Sequence, residues 1–564
     1  MIKYGGTHPA SFFDKKSIEI IKINNYRGIL SGLGYFFSKF VVVAKYAYRD
    51  ILNENKLLIG DKNNFSNKTA KLSVNRIWKN AFISLDNCEG YKFVSNKKIN
   101  GIYFFVGKQI ISARNGTLTL FISFDEKEKK KIFSKDIQTF HHNWDLFAYE
   151  LNDDEKNHSF KTIYISWEVT GNKKGIILSV PTFIPENKKT KKIIVLIADA
   201  VRPKDIGLYS GNSLTPNTDD FFKEGLYFNN SYSQNNWTLP TFASMVTSLY
   251  SSEHKVVDPD KYLQPINRNV KTLPEALQEK QYYTFGSVSH FRCNQYLGHH
   301  RGFDHFSFKR TLDDKLGSPG VRGRNNMNFQ IREFCDYLKN FSNKDFFGFL
   351  HLFDTHFPYL YNYNRKNINN LLFEKDLNFF IQKSFRNKLE KDEYEFIYNE
   401  YKEKLKEFDY QLIELYELIK TMDNTTIIFT SDHGYNFKAP LGKDLSKEEI
   451  NTPFLVYSND FLYEKGINER FIESSIDLAP TIAEICSLDN FSKRSGTSIF
   501  DSNYNITEKK HSISELTFHN NYQMKIIGEG DSSILIDGTM DRKSQKKYYE
   551  TFSIKNYSTG NKSI

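Results

Sequence analysis

The chain has 564 residues, of which 39% are hydrophobic and 26% are charged, and its formal net charge is +10. This composition is that of a folded protein too long for one ordinary hydrophobic core, so two or three domains are expected. The basic balance suits an anionic substrate, yet the sequence holds no nucleic-acid-binding motif. The cysteines are too far apart to indicate a disulfide framework or a thiolate zinc site: Cys88, Cys293, Cys335 and Cys486.

The N-terminal region shows no targeting signal. Its first residues lack the apolar core of a signal peptide. The most apolar stretch, residues 29–48, is interrupted by Lys39 and Lys45, which favours a buried or surface helix over a membrane span. We therefore expect a cytoplasmic protein without a transmembrane segment, in which residues 1–65 form a mixed segment with a helix around Leu33–Leu52.

Residues 66–188 have the pattern of an all-β domain. The segments Gly101–Val106, Thr117–Ile122 and Thr162–Trp167 are short and rich in β-branched and aromatic residues. Polar turns such as Asn115-Gly116 separate them, which predicts a β-sandwich accessory domain. Such a module either faces a glycan or is a structural appendage that shields the catalytic domain, and the second interpretation is slightly favoured.

After a charged hinge at residues 185–192, strand and helix patterns alternate through residues 189–564. This alternation predicts an α/β domain with three layers, α/β/α, around a largely parallel sheet. Residues 360–405 form a long insertion, expected to act as a lid or a substrate-specificity region. The main predicted elements are strands at Ile193–Ala198, Phe346–Phe353, Thr426–Thr430 and Phe454–Tyr457, and helices at Leu273–Glu279, Phe329–Asn340 and Phe396–Met422.

Two of these predicted strands end in metal-ligand residue types. Asp199 follows Ile193–Ala198, and Asp432 and His433 follow Thr426–Thr430. Because the carboxyl ends of parallel strands meet at one sheet edge, these side chains can converge on one cation. Taken singly, Asp199 could cap a helix and Asp432 could lie in a solvated turn. Their joint occurrence favours a metal site.

Several further blocks lie in order between and beyond these strands. Together they resemble the sulfatase-like branch of the alkaline phosphatase superfamily over roughly Lys192–Asp501, which implies an alkaline-phosphatase-like catalytic fold. The matching blocks are Asp199–Gly211, Thr215–Asp219, the nucleophile turn and helix at Thr238–Thr247, His254, Gly302–Phe306, His351–Tyr359 and Asp477–Thr481.

Departures from the sulfatase pattern narrow what the resemblance implies. Thr238 stands where a sulfatase has the cysteine that becomes formylglycine, and Phe242 stands at the arginine position. Threonine cannot become formylglycine because it lacks the required β-methylene. Ala200 replaces a ligand carboxylate and His433 adds an imidazole, which moves the expected metal from calcium towards zinc or manganese. The pattern is similar to the threonine-nucleophile phosphotransferases and phosphodiesterases.

The resemblance assigns roles to individual residues. Asp199, Asp432 and His433 would hold one divalent metal, with Thr238 as the ligand that reacts. His356 would bind an oxygen or protonate the leaving group, or else be a buried structural histidine. Arg202 would pair with phosphate or tie its loop down. A second metal is possible, and the residues available for it are Asp354, His356 and His519; Lys438 and Lys443 are weaker site candidates.

These assignments favour a transferase. The predicted reaction moves a phosphoryl-type group, such as a phosphoethanolamine, phosphoglycerol or phosphoramidate group, to a saccharide hydroxyl through a phospho-threonine intermediate. The donor would be phosphorylated or nucleotide-linked, and the acceptor would be a capsule or surface glycan. One alternative is a metal-dependent phosphodiesterase, phosphomonoesterase or sulfatase-like hydrolase. The other is a non-catalytic glycan-binding protein.

Overall fold

The computed structural model describes residues 69–557 apart from short loops and the longer gaps 83–89, 109–115, 257–264, 309–326, 358–389, 438–444 and 540–552. Residues 1–65, with the helix expected around Leu33–Leu52, therefore lie outside the described residues. The elements before residue 190 are β1 (Thr69–Val74), β2 (Ile77–Phe82), β3 (Gly90–Val94), β4 (Ile99–Lys108), β5 (Thr117–Ser123), β6 (Lys130–Asp136), β7 (Trp144–Glu150), α1 (Asp153–His158), β8 (Thr162–Val169), β9 (Ile176–Leu178) and β10 (Thr182–Pro185).

The second part of the chain mixes strands and helices. Its strands are β11 (Lys192–Ala198), β12 (Leu226–Phe228), β13 (Ser231–Tyr232), β14 (Tyr283–Val288), β15 (His305–Phe308), β16 (Phe346–Leu352), β17 (Thr425–Thr430), β18 (Phe454–Ser458), β19 (Gly466–Asn468), β20 (Ile472–Glu473), β21 (His511–Phe518), β22 (Asn521–Gly528), β23 (Ser533–Thr539) and β24 (Ser553–Tyr557). Its helices are α2 (Gly207–Ser210), α3 (Pro216–Phe222), α4 (Thr238–Thr247), α5 (Ser251–His254), α6 (Leu273–Glu279), α7 (Met327–Asn340), α8 (Lys391–Gln411), α9 (Ile413–Lys420), α10 (Lys447–Ile450) and α11 (Leu478–Ile485).

One compact unit comprises the described residues up to Thr190 together with Phe303–Ser307. It contains two antiparallel sheets, one ordered β3-β8-β5-β6 and the other ordered β10-β4-β7 with β9 beside β4. Leu120 and Ile163 of the first sheet belong to the same buried core as Phe104 of the second. Alternate residues of β5 are buried, as expected for a strand with one face against a core. The role of this unit as an accessory domain stays a prediction.

The second compact unit is built on a mixed, mostly parallel sheet with the strand order β14-β16-β11-β17-β18-β12-β19. The strands β14, β16, β11 and β17 are parallel, and β18 runs against both of its neighbours. Every residue of β11 and β17 is buried, which explains their nearly continuous apolar sequence.

Helices cover both faces of this sheet. A Cβ atom at Gly348 of β16 would lie 2.3 Å from the Phe334 ring of α7, so glycine lets that helix approach closely. The next residue, Phe349, points to the opposite face because side chains alternate along a strand. There its ring meets the Phe242 ring of α4, with 4.9 Å between centroids. The predicted layering of helix, sheet and helix therefore holds at β16.

The structure adds detail to the predicted helices. The helix expected at Phe396–Met422 is two helices, α8 and α9, with a break at Leu412. The described part of the 360–405 insertion leads into α8, and residues 358–389 lie outside the described residues. The antiparallel sheet β21-β22-β23-β24 near the C-terminus was not predicted. In the part of the chain that the structure describes, no helix is both long and apolar enough to span a membrane.

Candidate active site

The candidate active site lies at the carboxyl edge of the parallel strands. Asp199 follows β11, and Asp432 and His433 follow β17, the adjacent strand. His351 lies near the end of β16, the other neighbour of β11, where it is paired with Ile197. The structure thus brings together three of the predicted metal ligands, as expected from parallel strands that end at one edge.

The loops that carry the two aspartates are joined by hydrogen bonds. The backbone N–H of Ala200 donates to Asp432 Oδ1 at 3.1 Å, and the N–H of Val201 donates to Ser431 Oγ at 3.0 Å. Ala200 has a φ of 59°, a left-handed conformation that costs a non-glycine residue about 1–2 kcal/mol. In this conformation the Ala200 N–H points towards Asp432. The loop after Asp199 therefore orients the carboxylate of Asp432 through this hydrogen bond.

Thr238 is the first residue of α4 and is 3% exposed. Its hydroxyl donates to Asp199 Oδ2 at 3.5 Å, so the proposed nucleophile lies beside the proposed metal ligands. Trp237, the residue before the helix, provides no side-chain cap. The first-turn amides of Thr238 and Leu239 therefore remain available to an anion, whereas Pro240 has no N–H.

The loop before Thr238 is fixed by β21. The N–H of Glu515 donates to the carbonyl of Gln234 at 2.9 Å, and Ser514 Oγ donates to the carbonyl of Ser233 at 2.6 Å. Asn235 Nδ2 donates back to the carbonyl of Glu515 at 2.5 Å. A strand that was not predicted therefore supports the turn from which α4 begins.

His433 presents one ring nitrogen to both aspartates. Its Nδ1 donates to the carbonyl of Gly434 at 2.7 Å, which leaves the Nε2 lone pair free in the neutral ring. Nε2 lies 3.4 Å from Asp432 Oδ2 and 3.9 Å from Asp199 Oδ1. Gly434 permits this turn because a Cβ there would lie 2.2 Å from the carbonyl oxygen of Glu448.

His356 lies next to His433, with 6.3 Å between ring centroids. Its Nδ1 donates to the carbonyl of Phe357 at 2.5 Å, and its ring stacks on Phe353. Burial lowers the pKa of His356 to about 4, so the ring is neutral at neutral pH. In this state His356 offers a lone pair to a metal or to a substrate proton.

Asp199 and Asp432 are buried carboxylates with an oxygen each, Oδ1 and Oδ2 respectively, that has no hydrogen-bond partner among the described residues. Burial and the charge of Asp432 raise the pKa of Asp199 well above its ordinary value. Burial alone would raise the pKa of Asp432 too, but His433, His351 and the Ala200 N–H hold it lower.

No arginine or lysine in the described part of the chain forms an ion pair with either aspartate. Two buried carboxylates without a cationic partner are costly unless a cation joins them. Asp199 lies in two groups of possible ligands, one with His356 and His433 and one with His351 and Asp432. The residues present therefore fit a divalent metal, and the choice of zinc or manganese stays a prediction.

Arg202 contacts its own loop and the segment just after His433. Its Nε donates to Asp205 Oδ2 at 2.5 Å, and its Nη1 donates to the carbonyl of Tyr435 at 3.3 Å. The guanidinium also lies 4.4 Å from the ring centroid of Phe437 and 5.0 Å from that of Tyr398. Of the two predicted roles of Arg202, these contacts favour the one in which it ties its loop down.

Asp354, a predicted candidate for a second metal, is not part of this cluster. Burial raises the pKa of Asp354 to about 7, but Asp354 belongs to neither group of possible ligands among the described residues. The weaker candidates of the sequence analysis lie outside the described residues: Lys438, Lys443 and His519.

Two histidines of the site were not recognised from the sequence. His351 is a polar residue within the otherwise apolar strand Phe346–Leu352, a position where a buried imidazole needs a reason. His290 follows β14 and lies 6.4 Å from both His351 and His356, measured between ring centroids. The signal for His290 was its place just after a buried strand that runs parallel to the others.

Carboxylate and imidazole side chains at the carboxyl ends of adjacent parallel strands are typical of an enzyme that uses a divalent metal. A model of the Sulfatase family matches residues 191–487, which is more than half of the chain. The chain therefore belongs to the sulfatase family and is a sulfatase-like enzyme. This confirms the resemblance to the sulfatase-like branch, while the threonine-nucleophile subtype stays a prediction.

Individual relatives are distant. N-acetylglucosamine-6-O-sulfatase of Bacteroides thetaiotaomicron is 29% identical over 126 residues, which are 22% of this chain and 21% of that protein. The chain thus matches about a fifth of the length of this curated relative. The phosphonate monoester hydrolase of Silicibacter pomeroyi is 16% identical over 64% of this chain and 90% of its own, with a TM-score of 0.48. The 2-O GAG sulfatase BT1596 is 15% identical over 62% of this chain and 83% of its own, with a TM-score of 0.48.

Proposed function

We propose that this chain is a metal-dependent hydrolase of phosphate-type esters in which Thr238 is the nucleophile. The observation that carries the proposal is the position of Thr238 Oγ1, at the start of α4 and 3.5 Å from Asp199 Oδ2. A formylglycine mechanism is not open to this chain because the Cβ of threonine carries a methyl group. Threonine can, however, form a phosphate ester that is later hydrolysed.

Asp199, Asp432 and His433 would hold the metal. When bound, a divalent cation lowers the pKa of a coordinated hydroxyl and stabilises negative charge on an ester oxygen. Thr238 Oγ1 then bonds to phosphorus while the bond from phosphorus to the leaving oxygen breaks. The amides of Thr238 and Leu239 donate to a phosphoryl oxygen. The Nε2 lone pair of His356, beside His290, accepts the proton that Thr238 Oγ1 loses and passes it to the leaving oxygen. Water then hydrolyses the phospho-threonine.

Charge favours a monoanionic ester. The two site carboxylates balance one divalent cation, so a phosphodiester or phosphonate monoester meets a roughly neutral centre. A dianionic phosphomonoester would require a further cation. Arg202, the arginine nearest in sequence to Asp199, is already paired with Asp205. A saccharide is the favoured carrier of the ester, because the curated relative acts by its name on N-acetylglucosamine.

Transfer to a saccharide hydroxyl begins with the same attack and differs only in the second acceptor. The phosphorylated or nucleotide-linked donor and the saccharide acceptor of the sequence analysis therefore remain the competing proposal. Product analysis separates the two, since hydrolysis releases the acid into water and transfer attaches it to an added saccharide.

The test is peptide mass spectrometry of zinc- or manganese-loaded protein mixed with aryl phosphodiesters, phosphonate monoesters, phosphomonoesters and sulfate esters. We expect a covalent adduct on Thr238 and turnover fastest with monoanionic phosphorus esters. Thr238→Ser should keep turnover, and Thr238→Ala should lose the adduct and several orders of magnitude in rate. Thr247→Ala removes another buried hydroxyl from α4, one that donates only to the Ala243 carbonyl, and is the matched control.

Three outcomes would contradict the proposal. Sulfate esters cleaved faster than every phosphorus ester would restore a sulfatase function. Turnover that survives in Thr238→Ala would exclude the nucleophile. Phosphorylated sugar as the main product in the presence of an added saccharide would favour transfer over hydrolysis.

A further inference from the structure

His351 has no conventional structural role in the described part of the chain. Its side chain is 0% exposed, and neither ring nitrogen has a hydrogen-bond partner among the described residues. A buried imidazole normally donates at least one hydrogen bond, because an unpaired polar group in a protein interior costs about 1–3 kcal/mol. Its place in β16, between two large apolar residues, gives no packing reason for an imidazole.

One contact of His351 is nevertheless close. Its Nε2 lies 3.2 Å from Asp199 Oδ2, although the geometry is not that of a hydrogen bond. Two donors that each bind a tetrahedral zinc ion at about 2.0–2.1 Å lie about 3.3 Å from one another. The separation of 3.4 Å between His433 Nε2 and Asp432 Oδ2 is of the same size.

We propose that His351 is a ligand of the cation that Asp199 and Asp432 hold. The inference rests on the proposed metal centre and extends its ligand set beyond the residues predicted from the sequence. The ligand atoms of Asp199, His351 and Asp432 all lie within 4.8 Å of one another. His433 belongs to the other group of possible ligands, with Asp199 and His356, so the set proposed here has two carboxylates and one imidazole.

This ligand set explains the position of His351 on the strand. β16 and β17 flank β11, so His351 and Asp432 approach Asp199 from its two neighbouring strands. A cation at this place would join three adjacent strands of the sheet. An imidazole in the ligand set would also favour zinc over magnesium, since magnesium prefers oxygen donors.

The test replaces His351 with a ligand that has its own spectrum. In cobalt-loaded His351→Cys, a thiolate at position 351 that binds the ion produces a sulfur-to-cobalt charge-transfer band that the wild-type protein lacks. His254→Cys is the matched control: His254 is buried too, but its ring is bound by Ser244 and the Val256 N–H, and we expect no new band. His351→Phe should lower zinc affinity more than 100-fold in chelator competition, beyond the 10–100-fold typical of a residue that only orients a ligand.

The outcomes distinguish this inference from the proposed function. A new band in His351→Cys supports the inference even if no phosphorus ester is hydrolysed. If the wild-type protein and both cysteine variants bind one cobalt ion per chain without a new band, the inference is overturned while the hydrolase proposal stands. A zinc affinity that falls less than 100-fold in folded His351→Phe also overturns it, since a residue that only orients a ligand would account for that loss.

Discussion

Arg202→Met tests whether Arg202 holds its loop or binds substrate. Methionine keeps much of the aliphatic volume of Arg202, whose side chain is 5% exposed, but removes the guanidinium. The substitution leaves the carboxylate of Asp205, itself 1% exposed, without its ion-pair partner. It also removes a cation from between the rings of Tyr398, Tyr401 and Phe437, whose centroids lie 4.4–5.5 Å from the guanidinium carbon.

The expected cost follows from these contacts. Breaking a buried ion pair by removing one partner costs about 3–5 kcal/mol, because a buried charge is left uncompensated. The loss of a desolvated cation–π contact costs about 2 kcal/mol, and part of this cost is already included in the 3–5 kcal/mol for the broken ion pair. We therefore expect the free energy of unfolding of the catalytic unit to fall by roughly 3–5 kcal/mol. Adding Asp205→Asn should recover about half of it, because the uncompensated charge is then removed.

The assay is urea-induced unfolding of Arg202→Met, Asp205→Asn and the double variant, alongside turnover of the metal-loaded proteins in buffer. A structural role predicts a lower urea midpoint in Arg202→Met, partial rescue in the double variant and modest effects on turnover of folded protein. An unchanged midpoint with a turnover loss of more than 100-fold would refute this reasoning and restore Arg202 as a substrate-binding residue.

Three further predictions concern the site and its supports. In chelator, Asp199→Asn should raise the melting temperature, because it removes a buried carboxylate that Asp432 repels. Excess zinc should stabilise only the wild-type protein. A lower melting temperature of Asp199→Asn in chelator would contradict this prediction. Gly434→Ala should lower zinc affinity at least tenfold in calorimetry. The added Cβ would lie 2.2 Å from the carbonyl oxygen of Glu448 and would displace His433. An unchanged zinc affinity would exclude this steric argument. Burial lowers the pKa of His254 to about 3, below its unfolded value near 6.5, so its contribution to stability is complete above pH 6.5 and is lost as the pH falls towards 3. The urea midpoint of His254→Gln should therefore fall less steeply over this pH range than that of the wild type. Equal slopes for the two proteins would contradict this prediction.

The parts of the site that could be predicted are those with a local sequence signal. The buried strands before Asp199 and before Asp432 are continuous apolar runs that end abruptly in metal-ligand residue types. Because both strands are parallel, their ends had to meet at one edge of the sheet. The start of α4 at Thr238 was predicted from the resemblance of Thr238–Thr247 to the nucleophile turn and helix of the sulfatase-like branch.

The parts that could not be predicted depend on distant contacts. Arg202 pairs with Asp205 nearby, but the rings of Tyr398 and Phe437 that enclose it come about two hundred residues later. His351 has no local signature, because a histidine within an apolar strand becomes meaningful only when the neighbouring strand is known. The four strands β21–β24 alternate weakly in sequence, and their contact with the Gln234 loop could be seen only in the structure.

The support that β21 gives to this loop has a consequence for the order in which the enzyme matures. Protein domains fold as the chain emerges from the ribosome, N-terminal parts first. The strands that carry Asp199, His351 and Asp432 can therefore pair before β21 has been synthesised. Ser514 and Glu515, by contrast, are needed to fix the turn before Thr238. A nascent chain would thus bring the proposed metal ligands together before the turn that carries the proposed nucleophile, Thr238, is fixed.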